Sequence, residues 1–472
     1  MFYIKKLFIL FINTILLLLF YQNNISCLSN DEKKLIFVLK LFSNGIITPE
    51  TKNYVDVFQN YWPHSSELTN IGIRQIYLLG INDKYLYHND SKLISDTFNP
   101  KEILIKSSNI SYTIQSAYAY LHGIYPPGKG QNFQNGNISS YLFSNFKNLN
   151  PKDTIKINET INALNIYNTA IQSGVNIAPV YIFDKYEFQF NNNENCPHYV
   201  EMKTKSEENN KENFIAQIYN EFNNSYGDLF RNYFNKSEEF FQEPKNLMLY
   251  LKTYVLDYLI KGNDSSLSFN KNKSFTFDHL YNLSMNLIHE YYLNFEYDEE
   301  ILYQITSSPI LNSLFHYSDL RIEYIKDGKK DKIDSNIPKF VVYSGEISDL
   351  YALKKYLNET LYVEINDYTN FSSSINFEVY VENNVNKINI SYDGNLVLNE
   401  KYEDFKNKIS LLSEENITKF CKTSDNNDNE IKKKYTNYNV YLIWIFWIII
   451  IIGLFSIFLK IKSYNELTNK IY

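Results

Sequence analysis

The side chains of this sequence best suited to chemistry are seven histidines, three cysteines and a tyrosine motif near the C-terminus. The histidines are His64, His88, His122, His198, His279, His289 and His316, and none precedes Pro63. A metal centre needs ligands that converge at helix or hairpin spacing. His289-Glu290 lies in a helical stretch without such a partner, so neither a metal nor another cofactor is expected. His64, directly after Trp62-Pro63, reads as a surface-loop residue. Cys27 ends an N-terminal hydrophobic region, which leaves Cys196 and Cys421 as an even pair. They are either a disulfide or two buried thiols. Tyr464-Asn465-Glu466-Leu467 has the Tyr-x-x-bulky form of a cytosolic sorting signal, with Tyr464 and Leu467 as its two defining residues.

The elements that must position these groups begin with the two ends of the chain. Residues 1–27 carry Lys5 and Lys6, then an almost unbroken apolar run and a polar exit, the layout of a signal peptide. Residues 441–459, YLIWIFWIIIIIGLFSIFL, contain no charge and are about one bilayer crossing long. Tyr441, Trp444 and Trp447 supply interfacial aromatics, and Lys460 and Lys462 close the span. The resulting expectation is a single-pass type I membrane protein. Residues 28–424 form the outer domain, 425–440 a charged stalk, and 460–472 a cytosolic tail. The chain has 472 residues, room for one large or two moderate domains, and a formal charge of −7 without a long basic stretch. That balance lacks the electrostatic footprint of a nucleic-acid binder. Sequons such as Asn137, Asn158, Asn235, Asn282, Asn389 and Asn416 fit a glycoprotein.

Within the outer domain, residues 35–42 are nearly all apolar, as in a central strand covered on both faces. Apolar positions at helical spacing follow over 68–86, then a short strand at 103–105 and a helix at 112–121. This alternation predicts an α/β layer. Residues 128–308 alternate polar loops with helical stretches at 211–222, 247–260 and 280–292, and read as a mainly helical cap. Strand 339–344 and helix 349–356 return to the sheet. Period-two segments at 376–381 and 387–392, joined by Glu382-Asn383-Asn384, predict a hairpin. The expected fold is therefore α/β, a central mixed sheet flanked by helices, with a helical cap insertion and one C-terminal transmembrane helix.

The order of motifs resembles that of the histidine acid phosphatases, lysosomal and prostatic branch. Their first strand ends in Phe-Arg-His-Gly-x-Arg-x-Pro; here Phe42, Gly45 and Pro49 stand, with Ser43-Asn44 for the Arg-His pair and Ile47 for the second arginine. Trp62-Pro63, Leu68-Thr69, Gly72, Gln75, Leu79 and Gly80 match the family's WP…LTxxGxxQxxxLG segment. Residues 106–113, KSSNISYT, stand where the family has Arg-Ser-Thr-Asp-x-Asp-Arg-Thr, and Tyr125-Pro126-Pro127 matches the turn that follows. Asn195-Cys196-Pro197 and Val342-Tyr343-Ser344 match two further motifs.

The resemblance implies a histidine-phosphatase-like core and a Cys196–Cys421 bridge. It also implies that the catalytic apparatus is gone. Asn44 stands for the nucleophilic histidine, Ser43 and Ile47 for loop arginines, and Lys106 for a third. Glu346 and Ile347 replace the histidine and acid of the family's His-Asp motif. An amide nitrogen has no basic lone pair, so Asn44 cannot attack phosphorus. With Lys106 and Glu346 as an expected ion pair, the pocket changes from strongly cationic to about neutral. The implied function is a pseudophosphatase with a binding or other non-catalytic role, its ligand or protein partner unknown. A phosphomonoesterase of weak or altered activity is the alternative, and a receptor or adhesion scaffold a third reading. The family also implies homodimers and a lysosomal, endosomal or cell-surface membrane.

Overall fold

β1 (Lys34–Ser43) is buried at every position from Ile36 to Ser43, because sheet extends on both sides and helices cover both faces. In the computed structural model, which describes residues 33–48, 66–128, 174–182, 196–261, 277–326, 337–365 and 368–422, β1 lies within a seven-stranded sheet. β2 (Ile103–Ser107), β3 (Tyr181–Ile182), β4 (Phe340–Gly345), β5 (Ser374–Glu382), β6 (Val385–Tyr392) and β7 (Asn395–Lys401) complete it, in the order β3-β2-β4-β1-β5-β6-β7. The β3–β2, β2–β4 and β4–β1 pairs are parallel and the other three antiparallel. The sheet is mixed, as expected. Asn383 and Asn384 make the β5–β6 turn at φ 52° and 61°, a left-handed pair that asparagine tolerates well.

Alternate residues of β1 serve two cores, as a two-residue period requires. Val38 and Phe42 face a layer made by α1 (Asn70–Lys84) and α2 (Ser111–Ile124), packing with Ile76, Ala117 and Tyr120. Lys40 shares that face, buried in an ion pair with Asp83 of α1 at 2.7 Å. Tyr120 donates a second hydrogen bond to Asp83, at 2.6 Å. Leu39 and Leu41 belong to the other core. The helices that contribute to it include α3 (Pro197–Asn209), α4 (Pro244–Lys261), α5 (Phe277–Tyr291), α6 (Glu300–Lys326) and α7 (Ile347–Leu361). α8 (Glu414–Lys422) is tied to the start of α3 by the Cys196–Cys421 disulfide, with Cα atoms 4.5 Å apart.

Helix α6 runs unbroken through residue 308, where the cap was expected to end, with Pro309 inside it. Strand β7 and helix α8 had no counterpart in the sequence reading. The signal peptide, stalk, span and tail, with Tyr464 and Leu467, lie outside the described residues, as do Pro49 and His64. Among the described residues no helix is long and apolar enough to cross a membrane.

The α1–α2 contact depends on two glycines. A Cβ on Gly80 would lie 2.3 Å from the Tyr120 carbonyl oxygen, and one on Gly123 2.3 Å from that of Tyr77. Backbone cannot yield as a side-chain end can, so Gly80→Ala is expected to destabilise the domain by about 1–3 kcal/mol as an overpacked site. Alanine favours helix over glycine by nearly 1 kcal/mol. A rise in the urea midpoint on Gly80→Ala would contradict the close approach.

Candidate active site

Five segments meet at the C-terminal ends of β1 and β4: the loop 44–48, the start of α2, the start of α7, residues 369–371 and the cap helices. They enclose a cavity of about 250 Å³. Loop 44–48 is placed by α1. Thr69 caps that helix, accepting from the Gly72 amide at 3.0 Å, while its hydroxyl donates to the Ile46 carbonyl at 2.8 Å. Gln75 accepts from the Ile46 amide at 3.1 Å. Gly45 and Gly72 touch backbone to backbone: a Cβ on Gly72 would lie 2.2 Å from the Ile46 carbonyl oxygen. The Leu68-Thr69…Gly72…Gln75 motif is thus a clamp for the loop, and it is intact.

What the clamp presents to the cavity is uncharged, Asn44 and Ile47. Asn44 is buried, receives the loop by donating its backbone N–H to Gly345, and turns its side-chain amide back to donate to the Gly45 carbonyl at 2.9 Å. Ile47 lines the wall and bridges to Leu68. The Ser43 hydroxyl donates to the Asn370 carbonyl at 2.9 Å and so fastens the strand end to the 370–373 loop. Glu346 and Ile347 line the opposite side. Glu346 is the N-cap of α7 in a reciprocal capping box with Asp349, whose carboxyl accepts from the Glu346 amide at 2.7 Å. Burial, reinforced by the adjacent Glu346 charge, pushes the Asp349 carboxyl well above the usual carboxylate range.

Lys106 departs from expectation. It does not stand among the described residues lining the cavity, and its ammonium lies 5.7 Å over the Tyr343 ring. Lys106 pairs in register with Tyr343 on β4. The residue of that motif that does reach the cavity is Tyr112, on the first turn of α2, donating to the Glu346 carboxylate at 2.5 Å.

The cap supplies charges that sequence reasoning missed. Lys203 of α3 pairs with Glu296 at 2.7 Å; burial pulls its ammonium down, but the Glu296 charge outweighs this and raises it. Lys252 of α4 donates to the Tyr292 hydroxyl at 2.5 Å and sits 4.7 Å over that ring. These residues lie 150 to 250 positions from loop 44–48 and follow no common spacing, so only the fold could reveal them.

His289, on α5 beside the cavity wall, is packed against Tyr351 and Tyr368. Burial, helped by the nearby Lys354 charge, lowers its pKa from 6.5 to about 4. The unfolded chain therefore binds a proton here first as pH falls. Stability is fully present above about 6.5 and is lost as pH falls towards 4. His289→Phe is expected to flatten the fall in melting temperature between pH 6.5 and 4.5; an unchanged slope would contradict a neutral buried ring.

With the geometry in hand, the chain can be set beside known proteins. No family model matches it. It is 30% identical over 109 residues to the lysosomal acid phosphatase of Xenopus laevis, 23% of this chain and 24% of that protein. It is 29% identical over 114 residues to human prostatic acid phosphatase, 24% of this chain and 28% of that protein. The matched stretch spans about a quarter of the length of these curated relatives. Among solved structures, a Klebsiella phytase aligns over 78% of this chain and 88% of its own, at TM-score 0.48 and 11% identity. Over these partial stretches the sequence is similar to acid phosphatases of the lysosomal and prostatic kind. Of the residues singled out in the sequence, Asn44, Ile47, Glu346 and Ile347 line the cavity and Ser43 ends β1 beside it.

Proposed function

We propose that this protein is a pseudophosphatase: an acid-phosphatase scaffold carried by a single-pass type I membrane glycoprotein, with a binding rather than hydrolytic role. One observation carries the reading. The position that should attack phosphorus is a buried amide, Asn44, already bonded to the chain beside it. No described histidine lines the cavity, and Glu346 places a carboxylate where an incoming phosphoryl dianion would need cations. Loss of a nucleophile together with its charge-stabilising partners removes essentially the whole rate enhancement. The membrane topology, a lysosomal, endosomal or cell-surface location, and a homodimeric state belong to the same proposal and rest on sequence pattern and family likeness.

A hydrolase of altered activity is the second reading, favoured by Lys203 and Lys252, which return positive charge to the cavity from the cap. The deciding assay is hydrolysis of an aryl phosphate at acidic pH by the full chain in detergent. It is run beside a variant carrying Ser43→Arg, Asn44→His, Ile47→Arg, Tyr112→Arg, Glu346→His and Ile347→Asp. Silence from the natural protein with turnover by the variant supports a scaffold stripped of its chemistry. Turnover by the natural protein that is abolished by Lys252→Met would establish the second reading instead.

A further inference from the structure

We infer that the cavity binds a small amphipathic molecule bearing one anionic group, of the arylalkyl or alkyl carboxylate class, held by Lys252. The inference rests on the non-hydrolytic reading of the same site and assigns it a ligand chemistry. Three features point this way.

The first is charge pairing. Glu296 is neutralised by Lys203 at 2.7 Å. Glu346 is satisfied by the Tyr112 hydroxyl and by the first turn of a 15-residue helix, whose N-terminal amides favour negative charge. Lys252, by contrast, has a phenol oxygen and an aromatic face as partners, and no carboxylate among the described residues lies within ion-pair distance. The cavity wall therefore offers one cation still available to an anion.

The second feature is the apolar wall. Ile47, Leu256 and Phe371 pack in one cluster at the loop side of the cavity, and Met285 and Ile288 of α5 extend it. An aliphatic residue at 47 gives this surface a patch that favours a hydrocarbon body over water. The third is size. About 250 Å³ suits a ligand of roughly a dozen heavy atoms, and at ordinary ligand efficiency that implies a dissociation constant on the order of 0.1 mM. A free phosphate dianion fits poorly, since it would face Glu346 without an arginine fork.

The probe is 4-phenylbutyrate, titrated calorimetrically into the full chain in lipid nanodiscs, with empty nanodiscs as the blank. The controls are 4-phenylbutanol, which keeps the body and lacks the charge, and inorganic phosphate. The expected result is binding of the carboxylate at least 10-fold tighter than the alcohol, with phosphate weaker than both. Lys252→Met should remove that preference, lowering carboxylate affinity about 10-fold and leaving the alcohol unchanged. Equal affinity for acid and alcohol in the natural protein overturns the proposal without any variant, as does carboxylate binding untouched by Lys252→Met in a folded protein. Phosphate binding tighter than the carboxylate overturns it too. The aryl phosphate assay reads the pseudophosphatase reading separately: a hydrolytically silent protein that ignores the carboxylate refutes this inference alone.

Discussion

Replacing Cys196 with serine is expected to destabilise the folded domain by about 5 kcal/mol, a large share of the 5–15 kcal/mol typical of a folded protein. The estimate follows from the size of the closed loop. Cys196 and Cys421 are 225 residues apart, and the chain-entropy cost of leaving so long a loop open grows with the logarithm of its length. Position adds to it. Cys196 immediately precedes α3, which brings Lys203 to the cavity, and Cys421 lies on α8, the last described element. His198, on the first turn of α3, packs its ring at a tilt against Phe420, centroids 4.6 Å apart, so the bridge is packed as well as covalent. The urea midpoint of Cys196→Ser should fall sharply, and the double variant Cys196→Ala, Cys421→Ala should match it. A natural protein whose midpoint is indifferent to reductant would contradict this account.

The second large effect is expected at Lys40. This lysine stands in the middle of the most buried strand, 1% exposed, against an Asp83 with no exposed surface. Lys40→Met fills a similar volume but leaves Asp83 ionised or protonated in an apolar layer, with only the Tyr120 hydroxyl as a donor. Breaking one half of a buried pair costs about 3–5 kcal/mol. Asp83 Oδ1 has no hydrogen-bond partner of its own, so the site has no reserve to absorb the loss. Lys40→Met together with Asp83→Leu should regain most of the stability, because two apolar side chains can replace a buried pair at little net cost. If the double variant is as unstable as the single one, the pair is not what Lys40 contributes.

These two sites differ in how readable they were. β1 could be read because a continuous apolar run has one interpretation when it is eight residues long and ends in Ser43-Asn44-Gly45. The β5–β6 hairpin was equally plain, its period of two meeting at an Asn-Asn turn. β7, NLVLNEK, was not: it is an edge strand with no fully buried residue, and its polar texture resembles a loop. α6 hid its length behind Pro309, a residue that normally argues for a helix end. Loop positions 43, 44 and 47 were legible because consecutive residues keep their spacing in any fold. Within residues 106–113 it is Tyr112 rather than Lys106 that lines the cavity, a difference the motif's charges alone did not signal. Lys203, Lys252 and Glu296 could not be anticipated, since an insertion's helices converge on a site through packing alone.

The capping box at the start of α7 also gives residue 346 two tasks at once. Glu346 closes a helix end and gives Tyr112 an acceptor. A substitution there would surrender about 1 kcal/mol of cap and strand a phenol. The charge facing the cavity and the anchoring of the helix behind it therefore cannot be changed independently: whatever retunes the one loosens the other.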